Sequence, residues 1–301
     1  MSLLSRTRTA ALVRALLALA ALTIGHAAAH AQAWVPPAGI GVVSVVYQTI
    51  NNTNHRLTDG SLFDGYDSLS RGVLFSIDYA FTDRFSLSVG VPYLGSKYTG
   101  PEPSLFGLAV DECFCWNSGW QDLAATARYN LANGAFAVTP SIAIGMPTHN
   151  YDYFGEAVLG RNLHELRFAV DVGQRLDAIW ERLSVSARYS YALVEQVLDL
   201  PNNRSNIYID TDIMATRKLV TRVGLSWQLS HGGLRSTEVV TDEQYAQYDR
   251  LIKDNNFHIT GGLSYSLPKV DVFASYVHYA AGTDTHVGHA ITAGLSFPFE
   301  R

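Results

Sequence analysis

The sequence predicts an all-β fold, a transmembrane antiparallel up-and-down β-barrel of twelve strands. Three observations lead there. Beyond residue 33 the chain breaks into twelve runs of period-two alternation, the spacing at which side chains of one strand share a face. The connections alternate between short and long. The face opposite the apolar one carries Ser, Gly, Thr, Asp and Arg in mid-strand.

Residues 1–33 have the three parts of an export signal. Arg6, Arg8 and Arg14 make a basic start, Ala15 to Ile24 an apolar run, and Ala31-Gln32-Ala33 a cleavage site before Trp34. A run of about ten residues is half the ~20 a helix needs to cross a bilayer, so a cleaved leader is expected rather than an anchor. Residues 34–301 are then one barrel domain, placed in the outer membrane of a Gram-negative cell.

The runs are approximately 39–50, 69–81, 84–95, 120–131, 135–147, 163–175, 182–195, 205–216, 219–231, 256–267, 269–280 and 288–299. They are longer than the ~5–6 residues usual for soluble strands. They match the ~9–11 that a tilted strand needs in hydrocarbon. The long connections are 51–68, 96–119, 148–162, 196–204, 232–255 and 281–287. The short ones are Thr82-Asp83, 132–134, 176–181, Arg217-Lys218 and Pro268. Long loops gathered at one end are the habit of outer-membrane barrels. Only about five residues separate Trp34 from the first strand, so no N-terminal plug is expected.

The alternation assigns the faces. In 84–95, Phe85, Leu87, Val89, Val91 and Tyr93 share one side and Ser86, Ser88 and Gly90 the other. In 163–175, Leu166, Phe168, Val170 and Val172 oppose Arg167, Asp171, Gly173 and Arg175. A soluble barrel would fill its interior with branched apolar residues. Here the apolar face meets lipid and the polar face a lumen. Closure removes sheet edges whose backbone groups lipid cannot satisfy. Tyr47, Tyr79, Tyr93, Tyr129, Tyr189 and Trp227 suit interfacial girdles.

The stretch DYAFTDRFSLSVGVPY, 78–93, with GWQDLAATARYNL, 119–131, and TPSIAIGMPT, 139–148, resembles the outer-membrane transporter family associated with the meta-cleavage pathway of phenol degradation. Trp120-Gln121 stand where that family more often has small residues. The resemblance implies an outer-membrane barrel that admits small, often apolar or aromatic molecules. The last run ends with Phe297 and Phe299 in alternation, followed by Glu300 and Arg301 rather than by a terminal aromatic.

The lumenal candidates are Asp78, Asp122, Arg128, Arg167, Asp171, Arg175, Arg188, Asp210, Asp212 and Arg222. Two readings stay open: a charged lining that selects solutes, or ion pairs that fill and stiffen the barrel. In loop 232–255, Thr241 and Gln244 form a capping box, and Tyr245, Tyr248 and Ile252 fall on one helical face. A short helix at the mouth, as gate or as rim cover, is expected. Cys113 and Cys115 are the only cysteines, a candidate for a small disulfide ring. No metal is assigned. The imidazoles that could hold one are His278 and His289, facing each other across the last hairpin, with His286 above.

A net charge of −5 gives no electrostatic case for nucleic acid. There is no nucleotide-binding motif, so passive movement without a cofactor is expected. The expected partners are outer-membrane lipid and lipopolysaccharide, the barrel-assembly machinery and a small solute. The leading function is a channel or transporter. The alternatives are a lumen-blocked structural or surface-binding barrel and a membrane-embedded hydrolase. The hydrolase reading has no His-x-Ser triplet; its nearest match is His258-Ile259-Thr260.

Overall fold

In the computed structural model, residues 33–64, 67–100, 104–105, 108–109, 115–154, 157–176, 182–238 and 240–301 are described. The expected leader therefore lies almost wholly outside the described residues. Twelve antiparallel strands form the wall. They are β1 Ile40–Arg56, β2 Ser68–Ala80, β3 Phe85–Tyr98, β4 Asp122–Tyr129, β5 Phe136–Pro147 and β6 Glu165–Arg175. They continue as β7 Leu183–Val194, β8 Asn202–Met214, β9 Leu219–Gly232, β10 Asn255–Ser266, β11 Asp271–Thr283 and β12 Thr285–Glu300. Each pairs with its sequence neighbours, and β12 returns to β1. The barrel is closed.

The ladders differ in height. At the seam, Ile40–Arg56 lies against Glu300–Thr285 with one bulge between Asn52 and Asn54. β4 is much lower. Its ladder to β3 runs from Phe85↔Tyr129 to Gly90↔Ala124, stops, and resumes where Tyr93–Ser96 meets Trp120–Asn117. Pro92 sits in the gap and has no N–H to give. Its carbonyl takes the Gln121 N–H at 2.9 Å.

The faces follow the pleat. Val43, Phe75, Ile77, Leu87, Ile142, Phe168, Tyr189, Ile207, Ile291 and Leu295 are exposed on the outside. Ser86, Thr139, Ser186, Ser190, Ser275 and Thr292 are buried on the inside. Apolar residues exposed around a whole wall are unfavourable in water and suited to lipid. Among the expected girdle residues, Tyr47, Tyr93, Tyr129 and Tyr189 are exposed, and Trp227 stacks on Phe257 with centroids 4.5 Å apart.

Two of the short turns use one device. The Thr82 hydroxyl accepts the Arg84 and Phe85 N–H groups at 3.2 and 2.9 Å. The Thr216 hydroxyl accepts those of Lys218 and Leu219 at 3.1 and 3.0 Å. Such hydroxyl turns tie the chain back without a long loop. At the other end the expected long connection 281–287 is not a loop. β11 and β12 extend until only Asp284 remains between them, at φ 54°. Asp tolerates this left-handed conformation better than most residues. The polar Gly-Thr-Asp-Thr sequence read as a loop, but its flanks pair outward, 279–283 with β10 and 285–288 with β1, while β11 and β12 pair with each other only as far as His278 and His289.

A second correction concerns the N-terminal segment. Ala33 and Val35 are buried. The Ala33 carbonyl accepts the Asn130 side-chain N–H at 3.0 Å and the Thr139 hydroxyl at 2.5 Å. The Trp34 indole donates to the Gly134 carbonyl at 2.9 Å. Residues 33–39 thus reach from β1 to the ends of β4 and β5, across the short-turn mouth. Few residues suffice because the chain crosses the opening directly.

Candidate functional site

The lumen holds two cavities. The larger, about 780 Å³, is lined at the short-turn end by Pro36, Ile40 and Ala80 and at the long-loop end by Gly160, Arg161 and Leu163. The smaller, about 350 Å³, lies against β8–β12 and β1, between Asn206, Asp210, His258 and His286.

Between the two ends of the larger cavity the strand register brings expected residues together. Asp171 stands opposite Arg188 on the next strand, and Asp212 opposite Arg222. The Arg222 pair closes by two hydrogen bonds; the Arg188 pair closes by one, from Nη2, with Nε in ionic contact only. Arg188 Nε and Nη2 reach Asp171 at 2.9 and 3.0 Å, and Arg222 Nε and Nη2 reach Asp212 at 2.5 and 2.8 Å. Arg128 is buried in the field of Asp171, Arg188 and Asp78, and Ser88 donates to the Asp78 carboxylate. Planar two-point pairing fixes a guanidinium where a lysine would swing. These pairs hold the wall and narrow the lumen. Asp210 instead lines the smaller cavity. Arg175 has the inward parity but sits exposed at the short-turn end and lines neither cavity.

The outer end joins the expected Arg167 and Asp122 to residues the sequence reading did not single out, Glu165, Arg161, Arg204 and Tyr151. Glu165, the first residue of β6, accepts from both Arg167 and Arg204. Arg161, in the preceding loop, gives one Nη2 bond to the Ile252 carbonyl at 3.3 Å. Burial, then the nearby Arg204 charge, pushes the Arg161 guanidinium down to about 10. Asp122 accepts from the Tyr151 hydroxyl, and burial followed by that carboxylate pushes the Tyr151 phenol up. Arg204 fell in an expected loop, and a lone loop Arg carries no periodic signal.

Over this end lies a cap. Leu163, Ala192, Val194, Val197, Leu234, Tyr248 and Leu251 form a buried apolar cluster, with Tyr245 and Ile252 packed beside it. The capping box is present, but the expected single helix is two separate turns, α1 Asp242–Tyr245 and α2 Tyr248–Leu251. Arg250 pins the cap by donating to the Arg161 and Asn162 carbonyls at 3.1 and 2.9 Å. Its guanidinium lies 4.3 Å from the Tyr153 ring centre. Asp254, at the base of this loop, accepts from Thr285 at 2.5 Å, Gln228 at 2.8 Å and Asn256 at 2.9 Å. Burial opposes its ionisation most. The Thr285 bond and the Arg161 charge outweigh that and hold the carboxyl below its usual range.

The remaining candidates separate. His278 and His289 are register partners, as expected. Tyr279 beside His278 is buried inside and Ile291 two residues after His289 is exposed outside, which places both imidazoles on the outer face. His286, an odd number of residues from His289, turns inward and meets the His55 ring at 5.1 Å. Strand parity thus divides the set, and no cluster of three metal-ligating side chains exists among the described residues. Cys115 is in a disulfide, and Cys113 lies outside the described residues. His258 and Thr260 both line the smaller cavity, with the His258 ring 6.0 Å from that of Tyr279.

No family model and no curated protein matches the chain by sequence. Solved structures do. An outer-membrane channel of Pseudomonas putida F1 described as COG4313 matches with a TM-score of 0.70 at 14% identity, over 89% of this chain and 98% of that one. The NanC porin matches at 0.51 and 10% identity, over 84% and 98%. The β domain of the Bordetella autotransporter Brka matches at 0.52 and 11%, over 86% and 100%. At these identities the likeness is one of fold.

Proposed function

We propose that this chain is an outer-membrane channel through which small solutes move passively. The observation that carries the reading is the larger cavity, whose lining runs from residues at the short-turn mouth to residues of the long loops inside a closed wall. An apolar outer face and a polar inner face are what such a wall needs in lipid. The likeness to a channel of Pseudomonas putida F1 supports the same reading. Residues 1–33 serve as the export leader, so that after cleavage the segment across the short-turn mouth is held by Trp34 on Gly134 and Asn133 on Val35; lipid, lipopolysaccharide and the assembly machinery are the partners of the wall. An apolar or aromatic solute is proposed on the resemblance of 78–148. The test is conductance in planar bilayers with solute flux into liposomes. The absence of both current and flux would sink the reading.

The cap favours a second reading, a lumen sealed at rest. Deleting residues 236–250 then opens a current that the intact chain lacks. Solubility without detergent and the absence of heat-modifiable migration would count against the membrane placement itself.

A further inference from the structure

The outer end of the larger cavity has more guanidinium than carboxylate to meet it. Arg161, Arg167 and Arg204 all line it. Glu165 is shared by Arg167 and Arg204, so one carboxylate serves two cations. Among the described residues no carboxylate ion-pairs with Arg161, whose Nη2 bonds the Ile252 carbonyl instead. The other acids nearby are engaged elsewhere. Asp122 is bonded by Tyr151, and Asp254 by Thr285, Gln228 and Asn256.

Three N–H groups are left over. Arg161 Nη1, Arg167 Nε and Arg204 Nε are out of contact with solvent and have no hydrogen-bond partner. A buried donor left unmade is costly, and a buried cation more so. They belong to three side chains on one wall of one cavity. Leu163 and Val194, otherwise packed into the cap, each turn an apolar edge to the cavity beside them. Burial and the Arg204 charge hold the Arg161 guanidinium low against the opposing pull of Asp254 and Glu165.

We propose that this outer end is a binding subsite for the carboxylate of a small organic anion, its head taken by Arg161, Arg167 and Arg204 and its apolar body by Leu163 and Val194. The subsite deepens the channel reading and rests on it for its role in transport. A carboxylate lying among the three guanidiniums gains charge-assisted bonds, the strong kind, from the N–H groups that face the cavity. A neutral alcohol of the same length has the body without the charge. At the waist below, Arg188 and Arg222 each face an Asp across the strands, and Arg128 lies in the field of Asp171 and Asp78.

The test uses the full barrel in detergent and hexanoate against 1-hexanol as probes. Equilibrium dialysis reads binding whether or not the barrel conducts. Hexanoate is expected to bind at least about tenfold more tightly than hexanol, with affinity falling as salt rises. Arg161→Gln should weaken hexanoate about tenfold and leave hexanol unchanged. Arg167→Gln, a partly exposed side chain not tied to the cap, is the second variant should the first fail the heat-modifiability check for folding. In bilayers, hexanoate should then reduce the current of the wild type more than that of either variant. Equal binding of the two probes by the wild type overturns the subsite, as does a folded Arg161→Gln barrel that binds hexanoate unchanged. Hexanoate binding without any current overturns the channel reading and leaves the subsite standing.

Discussion

The Arg188 guanidinium reaches the Asp171 carboxylate on the neighbouring strand with one hydrogen bond from Nη2 at 3.0 Å and an ionic contact from Nε at 2.9 Å, and the carboxylate has no exposed surface. The pair sits inside a wall whose outer face is apolar. Removing one member leaves a buried charge alone, which typically costs about 3–5 kcal/mol. Arg188→Met should therefore lower the temperature at which the folded band disappears on gels. Arg188→Met with Asp171→Leu should recover most of the loss. Recovery no better than the single variant would mean that the pair acts through a wider network that includes Arg128.

Leu251 has no exposed surface and lies at the centre of the cap cluster. Truncating a buried leucine costs roughly 2–5 kcal/mol. The wall does not depend on it, so Leu251→Ala should loosen the cap alone. The Leu234 amide, bonded to the Leu251 carbonyl at 2.8 Å, reports this directly. Its hydrogen exchange should quicken by orders of magnitude while amides of β1 and β12 keep theirs.

Asp254 sets the acid sensitivity of the same cap. Its carboxyl lies below the ordinary value of 3.8 in the folded state. A depressed acid contributes stability that is full above its unfolded value and is lost as pH falls through the folded one. Exchange at the Leu234 and Lys253 amides, corrected for intrinsic rates, should be flat from neutrality to about pH 5 and should rise below about pH 4. Asp254→Asn should raise exchange at neutrality and remove the acid limb. An unchanged acid limb would assign the effect to another carboxylate.

Gly288 lies where the seam cannot accept a side chain. A Cβ there would stand 2.1 Å from the Asn51 carbonyl oxygen, a backbone atom that cannot step aside. Gly288→Ala should cost about 1–3 kcal/mol by overpacking. Gly60, where nothing lies within 4 Å but φ is +84°, is a contrasting site at which strain alone acts. Gel-shift melting of the two variants separates crowding at the seam from conformational cost in a loop.

The strands were legible because lipid and lumen impose opposite demands on alternate residues. Phe85 to Tyr93 shows this on its own: apolar at every odd position, small or polar between. The Thr241 and Gln244 box was legible because capping is local. What escaped was set by distance in the chain. Gly282 to Thr285 has loop composition, yet pairing with β1 and β10 extends both strands to a one-residue tip. Arg161, Glu165 and Arg204 belong to a loop and two strand ends, so no period marks them, and only closure brings them to one cavity. The placing of Ala33 and Val35 depends on partners about a hundred residues away, Asn130 and Thr139 for the first and Asn133 for the second. The separation of His286 from His289 was in the numbering all along, since their difference is odd, but it could not be applied until the hairpin tip was known.

The uneven height of the wall has a mechanical consequence. A barrel under strain parts first where the fewest backbone bonds must break together. The seam joining the two chain ends runs the full length of β1, so the ends of the chain are the best-sewn part of the cylinder. The interrupted ladder at Pro92 and Gln121 is the low stile in the fence. It stands beside Asp122, on the rim of the larger cavity. It shares its weakness with the β11–β12 ladder, paired only from Asp271↔Ser296 to His278↔His289, so the cylinder is least sewn away from the join.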